Sequence, residues 1–175
     1  TMSIVWKPTS GYVDNSNMKR FMRKHDIGTV EDLIKRSADD VEWFWDAAAK
    51  DLNIQWFKPY EKVLDDSKGI EWARWFVGGK LNIAQNCLDR HATTRRDKLA
   101  FIWQAEDGEV KKLSYGTLYE EANRLANGLK SLGIKKGDAI GLYLPMSLQV
   151  PVSMLAAFKI GAICVPIFSG FGASA

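Results

Sequence analysis

The chain has 175 residues, enough for one hydrophobic core or for a small core with an appendage, which excludes a two-domain enzyme of ordinary size. Hydrophobic residues make up 46% and charged residues 26%, a balance that is typical of globular proteins and excludes a disordered or collagen-like chain. The net charge is only +3 and the sequence holds no block of five like charges, so we predict no nucleic-acid partner.

The two cysteines indicate a reducing compartment. Cys87 and Cys164 lie far apart and form no CxxC motif, so the sequence predicts neither a disulfide framework nor a zinc site. We therefore expect a cytoplasmic protein without a bound metal of its own.

Residues 1–80 are predicted to form a helical, Trp-rich region without a strand. The expected helices are a short basic one near residues 17–25, one capped by Thr29 and one that begins after Asp39 and Asp40. The third has a bulky apolar face, formed by Val41, Phe44, Trp45 and Ala48. Five of the seven tryptophans lie between Trp43 and Trp75, and we expect this segment to bury their rings.

Residues 81–175 show alternating helix and strand patterns. We predict a helix over 82–91 with Asn82 as its cap, then an antiparallel hairpin of residues 98–104 and 109–113. Ser114 caps the next helix and Gly133 ends it. Its predicted apolar stripe consists of Leu118, Ala122, Leu125, Leu129 and Leu132.

The last three predicted elements form a βαβ unit. A strand over 139–144 and a strand over 163–168 flank a helix over 147–160 that is capped by Ser147, and such strands are parallel. The mostly apolar stretch 147–168 has the length of a membrane span, but Lys159 at its centre favours a buried helix and strand instead, and no membrane partner. The chain ends soon afterwards, so we expect an α/β fold with an incomplete parallel sheet.

One segment is placed where ligands bind in α/β proteins. The run from Phe168 to Gly172 follows a predicted buried strand, and ligands gather at the carboxyl ends of parallel strands. On the pattern alone it is either part of a ligand site or a plain glycine-rich turn. Gly78, Gly79 and Lys80 lack the rest of a Walker A loop, so we predict a tight turn into the following helix.

Other reactive residues are assigned structural roles. Asp89, Arg90 and His91 occupy successive helix positions that point in different directions, so a cap or an ion pair is favoured over catalysis. Cys87 is predicted to be a buried thiol, because no base lies beside it in the sequence.

Several ordered blocks point to a known family. They are WFVGGKLN at 75–82, NCLDRH at 86–91, LGIKKGD at 132–138, YLPM at 143–146 and KIGA at 159–162. In this order and at these intervals they strongly resemble the amino-terminal signature of AMP-forming acetyl-coenzyme A synthetases and their near relatives. The resemblance is tightest over 69–171. Earlier residues at 15–17, 20–22 and 42–45 resemble the extension that precedes the adenylation core in such synthetases.

The resemblance implies a two-step ligase reaction. A carboxylate such as acetate attacks the α-phosphate of ATP with the support of Mg²⁺, and the thiol of coenzyme A then displaces AMP from the acyl-adenylate. Residues 1–80 would be the extension and residues 81–175 the incomplete beginning of the AMP-binding domain. The phosphate loop, the adenine- and ribose-binding acid and the mobile lysine of the family are missing from this sequence, so we expect the chain alone to be inactive.

The resemblance also implies one binding site. In the family, a Phe-Gly-Gly-Phe turn contributes to the nucleotide site for coenzyme A, and here Phe168, Ser169, Gly170 and Phe171 match it. Ser169 departs from the usual glycine, and its side chain would crowd the adenine or force another backbone angle. The family's basic residues for the 3′-phosphate lie beyond Ala175, so we expect a partial site that binds weakly.

Two functions from different classes stay open, and a membrane-anchored form is a third, minor alternative. One is the N-terminal fragment of the ligase, which would build a wall of the core and part of the coenzyme A entrance. The other is a stand-alone, non-catalytic protein that self-associates through its open sheet edge. Apolar surface left exposed by an incomplete sheet would favour a homo-oligomer. The acyl-pocket residues are missing, so the sequence does not distinguish acetate from propionate or longer acids.

Overall fold

The structure, a computed structural model, describes residues 6–172. Within this range the chain forms two compact units: one comprises the residues up to Ile54 together with Tyr60–Gly78, and the other comprises Gln55–Pro59 and the residues from Gly79 onward. The expected division at residue 80 stays a prediction.

Four helices open the first unit: α1 is Ser10–Asp14, α2 is Asn17–Lys24, α3 is Val30–Asp39 and α4 is Val41–Asp51. The predicted caps are confirmed, because Thr29 and Asp32 form a reciprocal capping box and Asp40 accepts a hydrogen bond from the Trp43 N–H at 2.9 Å. The buried core of this unit consists of Phe21, Met22, Ile27, Leu33 and Ala47.

The prediction that residues 1–80 lack strands is wrong. A single turn of 3₁₀ helix, Ile70–Trp72, lies between β1 (Lys62–Asp65) and β2 (Arg74–Val77), which pair antiparallel. Strands of four residues leave almost no alternation to detect in a sequence, and this ribbon is held by cross-strand pairing. The Arg74 guanidinium beside Asp65 holds the pKa of that carboxyl well below its usual range.

The expected burial of the tryptophan cluster is also wrong in part. Trp45, Trp72 and Trp75 are 45%, 69% and 44% exposed. Trp45 and Trp75 contact each other edge to face at a centroid distance of 5.9 Å, at the surface of the unit. A unit of this size has too little interior to enclose every large ring.

The second unit contains the predicted alternation of helix and strand. A π-helical turn, Gln85–Asp89, continues into α5, Arg90–Thr94. The hairpin of β3 (Leu99–Gln104) and β4 (Val110–Ser114) is antiparallel, as predicted. The Asn82 cap is confirmed, because its side chain accepts a hydrogen bond from the Ala84 N–H at 2.9 Å.

The long helix α6, Tyr115–Ser131, is capped by Ser114 as predicted, and Gly133 follows it with a φ of 90°. Its inner face joins the core of the unit, formed by Leu88, Leu113, Leu118, Ala122 and Val152. Leu132, expected in the same stripe, is 80% exposed because the helix ends one residue earlier.

The βαβ unit is confirmed. β5 (Ala139–Tyr143) and β6 (Ile163–Ile167) pair in parallel, with Ala139 opposite Ile163 and Tyr143 opposite Ile167. The connecting helix α7 is Gln149–Ile160, so the expected cap Ser147 lies outside it and Leu148 occupies the N-cap position. Gly161, with a φ of 73°, ends α7 before β6 begins. Among residues 6–172, no helix has the length and apolarity that crossing a bilayer requires.

We predict that two leucines of the same predicted stripe contribute unequally to stability. Leu118 is 1% exposed, so Leu118→Ala should lower the free energy of unfolding by about 2–5 kcal/mol through the cavity it leaves. Leu132→Ala, at an 80% exposed position, should change it by less than about 0.5 kcal/mol. Urea denaturation followed by circular dichroism measures both, and equal losses would contradict this packing.

Candidate functional site

The candidate site lies at the carboxyl edge of the parallel sheet. The last residues of the two strands, Tyr143 and Ile167, are partners in the ladder, so both strands end at the same level. The segment Phe168–Phe171 follows β6 directly. The structure therefore brings the predicted site residues to the edge at which ligands of α/β sheets bind.

These residues form a tight turn that exposes two aromatic rings. The Phe171 N–H donates to the Phe168 carbonyl at 3.0 Å and closes the turn. The rings of Phe168 and Phe171 meet edge to face, with centroids 5.5 Å apart and an interplanar angle of 79°. They remain 69% and 53% exposed, so their outer surfaces are accessible to a flat ligand.

Tyr143 ties this turn to the neighbouring strand. Its hydroxyl group lies 3.1 Å from the Ser169 carbonyl oxygen and 2.9 Å from the Phe171 carbonyl oxygen, and it donates to this pair. The sequence gives no direct sign of this contact, although Tyr143 opens one of the blocks on which the resemblance rests. The available signal was its place at the end of the strand expected to pair with β6.

One glycine of the turn allows a close approach between the backbone and an aromatic ring. A Cβ atom at Gly170 would lie 2.6 Å from Cε1 of Phe168, closer than carbon atoms approach without displacement. The backbone of Gly170 and the Phe168 ring can therefore be this close only without a side chain at position 170. Ser169, the departure from the family pattern, is exposed, and its hydroxyl makes no hydrogen bond to the residues that the structure describes.

An apolar cavity of about 350 Å³ opens beside the turn. Its lining comes from the ends of β5 and β6, the first half of α7 and the turn itself, and includes Met146, Met154, Pro166 and Phe168. The segment between β5 and α7 is held in place by the Trp103 indole N–H, which donates to the Met146 carbonyl at 2.7 Å. The turn thus has an aromatic outer surface and an apolar cavity beside it.

A polar cluster fixes the far end of α7. The Lys159 ammonium is paired with Asp89 at 2.6 Å and lies 4.6 Å from the centre of the Tyr119 ring, and its side chain is only 13% exposed. The Asn82 amide donates to the Phe158 carbonyl at 2.8 Å, so it also satisfies the last turn of this helix. The ion-pair role predicted for Asp89 is confirmed.

His91, another titratable side chain of this unit, does not lie at the turn. Burial, together with the cationic side chains of Arg90, Arg95 and Lys98, lowers the pKa of His91, whose ring packs against Tyr115 at 5.3 Å.

Both cysteines are free thiols. Cys87 is exposed, so its predicted burial is wrong: in the π-helical turn its neighbours Asn86 and Leu88 take the buried positions. Burial raises the pKa of the Cys164 thiol. Within residues 6–172, no three His, Cys, Asp or Glu side chains are grouped so that they could hold a metal ion.

The turn predicted for Gly78, Gly79 and Lys80 is confirmed at Gly78, whereas Lys80 lies in a β-bridge. Gly78 lies in a turn with a φ of 79°. Lys80 uses its N–H and its carbonyl in a bridge with Lys58, and its carbonyl also accepts from the Phe57 N–H at 2.7 Å. These backbone groups are therefore engaged within the protein, which speaks against a phosphate loop.

Comparisons with known proteins agree along the whole chain. The model of the AMP-binding enzyme family matches residues 88–175, and that of the acetyl-coenzyme A synthetase N-terminus matches residues 30–87. The acetyl-coenzyme A synthetase of Methanothrix soehngenii is 42% identical over 172 residues, which cover 95% of this chain and 25% of the relative. That of Chromobacterium violaceum is 39% identical over 175 residues, which cover 100% of this chain and 26% of the relative.

A solved structure is similar as well. The acetoacetyl-CoA synthetase from Streptomyces lividans matches with a TM-score of 0.88 and 29% sequence identity, over 97% of this chain and 27% of that one. The chain therefore spans about a quarter of the length of the relatives it matches.

We predict that Gly170→Ala separates the two rings of the turn without unfolding the protein. The added Cβ would collide with the Phe168 ring, which is exposed and free to swing outward. Nuclear Overhauser contacts between the Phe168 and Phe171 ring protons should disappear, while the unfolding midpoint stays unchanged. Gly172→Ala is the matched control, because a Cβ there meets nothing within 4 Å. Persistence of the ring contacts in Gly170→Ala would refute this geometry.

Proposed function

We propose, since the chain belongs to the AMP-binding enzyme family, that it supplies the amino-terminal part of an AMP-forming acetyl-coenzyme A synthetase. The complete reaction would join a carboxylate such as acetate to coenzyme A through an acyl-adenylate, with release of AMP and pyrophosphate. Its setting would be the cytoplasm, where the free thiols of Cys87 and Cys164 stay reduced.

The part of this function that we assign to the chain is one wall of the coenzyme A site. The observation that carries it is the turn Phe168–Phe171, which exposes two aromatic rings at the carboxyl edge of a parallel sheet. Purine bases stack readily on such rings, because every base has an extended π face. The close approach of Gly170 to Phe168 keeps the turn compact, which suits a flat ligand. We propose Phe168, Ser169, Gly170 and Phe171 as the contacts to the nucleotide end of coenzyme A.

Activation of the carboxylate by ATP is assigned to residues outside this sequence. The chain has no Thr-Ser-Gly-Thr-Thr-Gly-like phosphate loop, and the backbone groups of Lys80 beside its one Gly-Gly-Lys run are engaged in a bridge. The residues present therefore do not fit ATP and Mg²⁺, and we expect neither to bind tightly. Because adenylyl transfer depends on positioning and charge neutralisation, loss of these parts should abolish the reaction.

We predict that the 175-residue chain does not catalyse acetate-dependent exchange between ATP and pyrophosphate. The assay follows incorporation of labelled pyrophosphate into ATP with Mg²⁺ and acetate, on protein whose intact mass has been confirmed. A sample without carboxylate is the blank, and a full-length acetyl-coenzyme A synthetase is the positive control. Exchange above the blank would place the phosphate chemistry within these residues and would overturn the assignment.

We also predict weak binding of coenzyme A that depends on the exposed rings. Phe171→Ala should reduce the affinity at least about fivefold, because stacking of a base on an aromatic ring is worth ~1–3 kcal/mol. The matched control is Phe57→Ala, a phenylalanine of the same unit that is 63% exposed and lies apart from the turn. Chemical-shift titration measures both, with pantetheine as a ligand that lacks the nucleotide. Equal affinities of the two variants for coenzyme A would show that the turn is not part of the site.

One observation favours a second candidate, a non-catalytic protein that pairs with its own copy. On β6, Ile163, Val165 and Ile167 are 56%, 43% and 40% exposed, and together they form an apolar row. An exposed apolar strand is a ready surface for association. A dimer whose population rises with concentration in sedimentation experiments, in a chain that fails to bind coenzyme A, would favour this candidate.

A further inference from the structure

We propose that Tyr143 is a positioning residue of the candidate site, one that aims two backbone N–H groups of the turn at a hydrogen-bond acceptor of the ligand. The donors are the N–H groups of Gly170 and Gly172. The acceptor would be on the nucleotide end of coenzyme A, either a ring nitrogen of adenine or a phosphate oxygen. This inference rests on the proposed coenzyme A function and adds that Tyr143 orders the turn before the ligand binds.

The position of Tyr143 makes this role specific. It is the last residue of β5 and pairs with Ile167, the last residue of β6, so its ring stands where the turn departs from the sheet. From there the hydroxyl group reaches the carbonyl oxygens of Ser169 at 3.1 Å and Phe171 at 2.9 Å. One side chain on a strand thus holds two of the peptide groups that shape the turn.

The orientation of the N–H groups follows from peptide geometry. In a trans peptide the C=O and N–H bonds lie in one plane and point in opposite directions, and the described residues contain no cis peptide. Since the Ser169 carbonyl faces Tyr143, the Gly170 N–H of the same peptide faces away from it. The same holds for the Phe171 carbonyl and the Gly172 N–H. Neither N–H finds an acceptor among the residues that the structure describes.

Two donors that point away from Tyr143 would complement the exposed aromatic rings of the same turn. The rings of Phe168 and Phe171 offer an apolar surface, whereas the N–H groups offer directional bonds to an acceptor at its edge. Backbone N–H groups that are already fixed in this way need no reorganisation when they bind an acceptor, so binding loses less free energy to ordering. The Tyr143 hydroxyl is the group that supplies this fixation.

Removal of one hydroxyl group tests the proposal. Tyr143→Phe keeps the ring and removes the donor, so the two carbonyls lose their anchor. We expect the dissociation constant for coenzyme A to rise roughly tenfold, the combined effect of two hydrogen bonds of modest strength. In the wild-type chain, coenzyme A should move the amide proton signals of Gly170 and Gly172 downfield, and this shift should be lost in the variant. A merely structural role would not remove a ligand-induced shift from a variant that remains folded.

The matched control is Tyr119→Phe. Tyr119 belongs to the same unit, its ring faces the Lys159 ammonium, and its hydroxyl makes no hydrogen bond to the described residues. This variant should bind coenzyme A as the wild type does. Titrations with adenosine and with inorganic phosphate distinguish the two acceptors: whichever ligand alone reproduces the shifts at Gly170 and Gly172 carries the acceptor.

Two results would overturn the proposal. One is a Tyr143→Phe variant with wild-type affinity and wild-type amide shifts. The other is a Tyr143→Phe variant that loses affinity only in proportion to a lowered unfolding midpoint, as a general loss of structure would cause. If the variant fails to fold, the wild-type chain still decides: nuclear Overhauser contacts should join the ring protons of Tyr143 to the backbone protons of residues 169–172, and their absence would refute the anchor.

Failure of the proposed function gives a different result. If the wild-type chain does not bind coenzyme A, adenosine or phosphate, the ligand assignment is wrong. Amide hydrogen exchange then tests the anchor alone, since the Phe171 N–H bond to Phe168 should open more readily without the Tyr143 hydroxyl. Faster exchange at Phe171 in Tyr143→Phe, but not in Tyr119→Phe, would support Tyr143 as the residue that orders the turn. Equal exchange rates would overturn that role as well.

Discussion

Parallel pairing of β5 with β6 is the constraint on which the candidate site depends. Parallel strands that start level also end level, and here the ladder runs without a shift from Ala139 and Ile163 to Tyr143 and Ile167. The side chain that ends one strand therefore lies beside the turn that follows the other. An antiparallel arrangement would have put these two groups at opposite edges of the sheet.

The pairing in turn requires that α7 end at a fixed place. Gly161 adopts a left-handed conformation, and the Ala162 N–H donates to the Ala157 carbonyl at 3.0 Å, which closes the end of the helix. The Ile163 N–H donates to the Asp138 carbonyl at 2.8 Å, so β6 enters the ladder at its first residue. Lys159 brings a positive charge to this helix end, where the helix dipole favours it, and Asp89 neutralises that charge.

Local chemistry explains why much of this arrangement was predictable from the sequence. Caps depend on a few neighbouring residues, so the sequence alone predicts helix starts at Thr29, Asn82 and Ser114, and its apolar runs predict the βαβ alternation. The strand-end position of Phe168–Phe171 followed from the same pattern. Its assignment to coenzyme A came from the resemblance, since a glycine-rich turn by itself indicates no ligand.

What the sequence did not reveal depends on partners distant in the chain. The ribbon of β1 and β2 exists only because two four-residue strands meet, and neither strand has a pattern of its own. The exposure of Trp72 and the burial of Asn86 depend on which surfaces are covered. Tyr143 reaches its acceptors across 26 and 28 positions of sequence, so spacing along the chain carried no sign of this bond.

The two functional candidates place different demands on the same sheet. Association with a second copy would use the apolar row of β6. It would not require a compact turn beyond the end of that strand, with two exposed rings and a hydroxyl anchor. A ligand-binding edge needs the turn, and it leaves the row of β6 to be covered by whatever completes the sheet. Order at Phe168–Phe171 is thus the property that separates the candidates. Ordering the turn costs conformational entropy, and self-association through β6 would gain nothing from that order.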